Sequence, residues 1–147
     1  TDWDTDATIP RYYVQVHASE REDPEPNDTT DTARGPYAAS FRECGQISPA
    51  QDTDLYAVTV GQGADLRAET LADDGAVCPT DTILELVGTD GLTLLAEDDD
   101  DGADTCSLID PAAAAGAANL PAGTYFLRVR GYGEASGPTV LDVMIIP

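Results

Sequence analysis

Short stretches of alternating apolar and polar residues, bounded by Gly, Pro, Asp and Asn, recur along the chain, and none sustains a helical period. Residues 55–60 set Tyr56, Val58 and Val60 on one face, residues 64–70 pair Leu66 with Ala68, and residues 82–88 pair Leu84 with Leu86. Residues 92–96 form a further short strand after the turn Thr89-Asp90-Gly91. The clearest pair comes last: residues 124–131, with Tyr125, Leu127 and Val129 inward, and residues 140–146, with Leu141, Val143 and Ile145 inward. Short strands at this spacing predict an all-β antiparallel sandwich. The alanine-rich residues 111–118 suit a helical turn, but Gly116 and Pro121 argue against a long helix.

One strand stands apart. Residues 11–18 alternate Tyr12, Val14, Val16 and Ala18 against Tyr13, Gln15 and His17, and lead into Asp23-Pro24-Glu25-Pro26-Asn27-Asp28-Thr29. The chain is therefore expected to divide into an N-terminal extension, residues 1–22, and a sandwich, residues 23–147. The strand over residues 9–19 either pairs within its own domain or adds to a neighbouring subunit.

The proline-containing segment is where chemistry enters. Proline fixes its own φ at about −65° and keeps the preceding residue extended, so Asp23 and Glu25 are both held extended. Alternate residues of an extended chain share a face, which places Asp23, Glu25 and Asn27 together. Such a row of hard oxygen donors repels itself unless a cation sits among them, and calcium takes roughly six to eight oxygens of this kind. A solvated acidic linker is the alternative.

The charge balance favours the cation. Asp and Glu number 28 against seven Arg and no Lys, for a net charge of −21. Nucleic acid and anionic membrane surfaces would be repelled. With 41% hydrophobic residues the chain can build a real core, so its self-repulsion must be offset, and bound divalent ions offset it directly. An acidic surface adapted to high salt is the competing explanation. The length of 147 residues suits one domain. No apolar run approaches the roughly 20 residues that would span a bilayer. The chain starts at Thr1 without a basic or apolar leader, so any export signal is expected to have been removed already.

Cys44, Cys78 and Cys106 show no CxxC spacing, and His17 is the only histidine, which argues against zinc. One disulfide with one cysteine left over is the better reading. Connectivity does not follow from spacing; Cys78 with Cys106 is the expected pair because each flanks an acidic loop. An oxidising, extracellular setting would follow.

Two more acidic elements complete the set. Glu97-Asp98-Asp99-Asp100-Asp101-Gly102-Ala103-Asp104 begins like a calcium loop, but Leu108 stands where an EF-hand needs its final acid. Asp98, Asp99, Asp100, Asp101 and Asp104 are thus candidate ligands of a second ion, or a solvated charge run. Asp52 and Asp54 immediately precede the strand over residues 55–60 and are placed to close a site begun at Asp23.

The order Glu25-Pro26-Asn27-Asp28-Thr29, Gly45-Gln46-Ile47, Asp52-Thr53-Asp54-Leu55-Tyr56-Ala57-Val58, Asp90-Gly91 with Asp98-Asp99, and Ala122-Gly123-Thr124-Tyr125-Phe126-Leu127-Arg128-Val129 resembles the bacterial pre-peptidase C-terminal domain over residues 23–146. The resemblance implies a secreted, calcium-binding, jelly-roll-like sandwich related to clostridial collagen-binding domains. It further implies that Asp23, Glu25, Asn27 and Asp28 form the N-terminal half of a calcium site and that Asp52 and Asp54 complete it.

Catalytic signatures are missing from the sequence: no GxSxG, no P-loop and no lysine, with His17 confined to the extension. The expectation is a non-enzyme. Two roles then compete: a subunit of a homo-oligomer or filament joined through residues 9–19, and an adhesive or targeting module for an extracellular polymer.

Overall fold

The computed structural model describes residues 23–72 and 78–147, in which nine strands form two sheets packed face to face. The strands are β1 (Arg34–Tyr37), β2 (Phe41–Ile47), β3 (Thr53–Val60), β4 (Asp65–Leu71), β5 (Thr82–Val87), β6 (Leu94–Asp98), β7 (Leu108–Ile109), β8 (Gly123–Gly131) and β9 (Gly137–Ile146). One sheet runs β1-β3-β8-β5-β6, the other β2-β9-β4-β7. The strand expected over residues 9–19, with Tyr12, Val14, Val16 and Ala18, lies outside the described residues.

The strongest period-two segments occupy the interior of the sheets. β8 sits between β3 and β5, and its Tyr125, Leu127 and Val129 are buried against Tyr56, Val58, Leu84 and Leu86. From the second sheet β9 contributes Leu141 and Val143, and β4 contributes Leu66 and Ala68. Each large apolar side chain so buried contributes about 1.5–3 kcal/mol. On the outer face of β8, Arg128 pairs with Glu85, and Arg130 lies 3.5 Å from Glu85 and 3.7 Å from Glu97. Burial would raise the Glu85 carboxyl, but the Arg128 hydrogen bond and the two guanidinium charges hold it below its ordinary value.

The structure departs from the pattern in identifiable places. β1 pairs with β3 in parallel, so the sandwich is antiparallel except at that edge. β1 contains Gly35 and Pro36, which mask any alternation, and β7 has only two residues. In β2 only Gly45 and Ile47 are buried, too few to mark a strand from sequence. The alanine-rich region contracts to one 3-10 turn, Ala115–Ala117. Gly116 lies so close to β6 that a Cβ there would fall 1.9 Å from the Leu95 carbonyl oxygen.

Cys78 and Cys106 are joined by a disulfide with their Cα atoms 5.4 Å apart. It ties the loop after β6 to the entrance of β5, beside a buried hydroxyl cluster of Thr70, Thr82 and Ser107 with spacings of 2.7 and 3.0 Å. Reduction is expected to cost about 3.5 kcal/mol, the loop-closure value for a bridge spanning 28 residues. The check is the urea midpoint with and without reductant. An unchanged midpoint would mean that the hydroxyl cluster alone holds the loop.

Candidate metal centre

Period-two alternation decides where Asp54 points. It shares a face of β3 with Tyr56, Val58 and Val60, so its carboxylate enters the interior at the end of the sandwich where β2 finishes and β9 begins. Asp54 is 0% exposed. The segment before β1 closes over it: the Leu55 amide donates to the Asn27 carbonyl at 3.0 Å, docking residues 23–27 against the start of β3. Asp52 arrives from the preceding turn, which its own amide closes on the Pro49 carbonyl. Its carboxylate is oriented by the amides of Ser48 and Thr53, each at 2.9 Å.

Carboxylate oxygens of Asp23, Glu25, Asp52 and Asp54 thereby come within 4.8 Å of one another. Asn27 is also 0% exposed; its amide nitrogen donates to Asp23 at 3.1 Å and its backbone N–H to Glu25 at 3.0 Å. Four buried oxygens have no hydrogen-bond partner: Asn27 Oδ1, both oxygens of Asp54, and Thr139 Oγ1. A buried polar atom in that condition costs roughly 1–3 kcal/mol, more when charged. Burial, and then the charge of Asp23, push the Asp54 carboxyl up to about 8. Burial raises Asp23, and burial followed by the Asp52 charge raises Glu25. The neighbouring guanidinium of Arg34 is already engaged with the Cys44 carbonyl and Glu43, each at 2.7 Å, and lies 5.2 Å over the Tyr56 ring.

Converging carboxylates with an amide oxygen form a hard, all-oxygen donor set. No His or Cys belongs to the group, which disfavours zinc, and so many protein oxygens suit calcium better than magnesium, which keeps most of its waters. Of the residues expected from sequence, Asp23, Glu25, Asp52 and Asp54 are gathered, with Asn27 among them. Asp28 is exposed and outside the group.

The second acidic element is arranged differently. Asp98 spends an oxygen on the amides of Asp101 and Leu108, at 2.9 and 2.8 Å, so it pins its own loop. Among the described residues Asp98, Asp99, Asp100, Asp101 and Asp104 form no group close enough to share an ion. Sequence reasoning missed Gly45, Tyr56 and Thr139, which border Asp54. Tyr56 is signalled by its place two residues after Asp54 on β3, whereas Gly45 and Thr139 are joined only by the β2–β9 register, which pairs them.

Fold and site together define a β-sandwich with a cluster of four carboxylates at one end, close enough to hold a metal ion. No family model matches the chain, and no curated protein matches it. Two solved structures share the fold with a TM-score of 0.52 each. One is the pre-peptidase C-terminal domain of the Bacillus anthracis collagenase, 19% identical over 83% of this chain and 98% of that one. The other is Aeromonas hydrophila PliG, a periplasmic inhibitor of g-type lysozyme, 15% identical over 74% of this chain and 87% of that one.

Proposed function

We propose that this chain is a non-catalytic, secreted, calcium-binding β-sandwich that serves as a structural subunit of an extracellular assembly, joined to its neighbours by the strand over residues 9–19. The observation that carries the calcium reading is Asp54, whose two oxygens are buried without a hydrogen-bond partner beside three further carboxylates. Asp23, Glu25, Asn27, Asp52 and Asp54 would hold the ion. Its charge would neutralise the group and fasten residues 23–27 to β3.

Assembly is supported by the alternation of Tyr12, Val14, Val16 and Ala18, which precedes the nine strands of the described residues in sequence. Such a strand can add to the sheet of another copy, where main-chain hydrogen bonds supply the affinity. An ion clamped just beyond it would fix the direction in which it leaves. The disulfide suits an oxidising compartment outside the cytoplasm. A second reading, an adhesive or targeting module, draws on the likeness to a domain of a collagenase and to an inhibitor of another protein.

The two roles separate on deleting residues 1–19 and measuring mass by light scattering in calcium. The whole chain is expected to form multimers and the truncated chain to stay monomeric. Equal multimers from both would refute strand addition. A whole chain that stays monomeric yet is retained on an immobilised extracellular polymer would favour the adhesive role.

A further inference from the structure

We propose that Thr139 is a positioning residue for the ion site, holding Asp54 through a water lodged between the two sheets in space that Gly45 keeps clear. This rests on the calcium reading above and adds a contribution from the second sheet, since every acid of the group comes from β3 or the segments preceding it.

Gly45 of β2 and Thr139 of β9 are directly paired. A Cβ on Gly45 would lie 2.6 Å from Asp54 Oδ2, 2.8 Å from the Tyr56 hydroxyl and 2.9 Å from Thr139 Oγ1. Three oxygens from two sheets therefore surround one point beside the Gly45 Cα. Asp54 Oδ2 and Thr139 Oγ1 can be no further apart than those two distances end to end, 5.5 Å, yet neither has a hydrogen-bond partner. Unpartnered oxygens no further apart than this can be joined by a single water, and a buried water needs only about two to four polar partners. The Tyr56 hydroxyl is the third partner available to it.

The chemistry of each group fits that role. The Tyr56 hydroxyl, 2.8 Å from the same point, is a phenol that donates. Thr139, 4% exposed, has a hydroxyl that both donates and accepts. A water fixed by these two hydroxyls donates to one oxygen of Asp54. The carboxylate is then held in one rotation with its other oxygen directed to the ion. Partners of this indirect kind commonly alter metal affinity by about 10–100-fold when removed.

The test compares Thr139→Val with Thr139→Ser by calorimetric calcium titration and by melting in chelator. Thr139→Val keeps the shape and removes the hydroxyl, so calcium affinity is expected to fall about tenfold, while Thr139→Ser stays within about threefold of wild type. In chelator Thr139→Val is expected to melt close to wild type, because the hydroxyl it removes holds a water and bonds no other protein group. A merely structural threonine would give the reverse: a lower metal-free melt and unchanged affinity. Gly45→Ala supplies a second arm, with at least a tenfold loss expected because its methyl would lie against Asp54. Equal calcium affinity in wild type and Thr139→Val, or equal losses in the Val and Ser variants, would overturn the role of Thr139 and leave the calcium site standing. A wild-type chain that binds no calcium would overturn both.

Discussion

Chelating calcium from the protein at neutral pH is expected to lower its melting temperature by roughly 15 °C. A ligand bound only by the folded state, at about a thousand times its dissociation constant, stabilises by about 4 kcal/mol, and each kcal/mol moves the melt by about 3–5 °C at this chain length. The effect should be specific to the gathered acids. Asp54→Ala is expected to melt at one temperature with or without chelator, since it deletes the innermost ligand. Asp100→Ala should keep the full response, because Asp100 is exposed and belongs to no gathered group. A wild-type melt indifferent to both calcium and chelator would refute the site, and an Asp100→Ala variant that loses the response would move it to the loop after β6.

The acidic cluster was legible in the sequence to the extent that it is built from local rules. Prolines on either side of Glu25, and alternation carrying Asp54 onto the face of Tyr56 and Val58, bring two halves of a site to one end of a sandwich. What the period could not supply was depth. Asp52 and Asp54 look equivalent in sequence, yet Asp52 is oriented by two backbone amides and Asp54 is buried with none. Alternation separates them only once the register of β3 against β8, Asp54 opposite Val129, is known. The same blindness explains Thr139, whose relation to Asp54 crosses between sheets. Acidic density is no guide to arrangement: four successive aspartates look richer in ligands than Asp23 and Glu25, but Asp98 turns one oxygen on its own loop. The missed strands have a common cause as well, since β1, β2 and β7 lie at sheet edges and bury too few residues to show a pattern.

In chelator, the stability of the wild-type protein is expected to fall as pH rises from about 4 to about 8. The Asp54 carboxyl stands at about 8 in the folded chain against 3.8 when unfolded. Between those values the folded state keeps a proton that the unfolded state has released, so the stabilisation is complete below the lower value and disappears through the upper one. At about 1.4 kcal/mol per unit, the loss has a ceiling of about 6 kcal/mol. Asp23 and Glu25, also raised, act in the same sense, as does self-repulsion at a net charge of −21. Glu85 and Asp90 are held low and act in the opposite sense, but only at pH values near or below their ordinary range. Asp54→Asn isolates the buried carboxyl from these contributions. Its metal-free stability is expected to vary much less with pH, and above pH 8 to exceed that of metal-free wild type, although it should respond weakly to calcium. Urea denaturation of both proteins across this range is the measurement. Parallel pH profiles would show that Asp54 is not the group carrying the proton. Crossing profiles would mean that calcium, when bound, takes the place of that proton, so that affinity for the ion rises with pH over the interval in which the metal-free fold weakens.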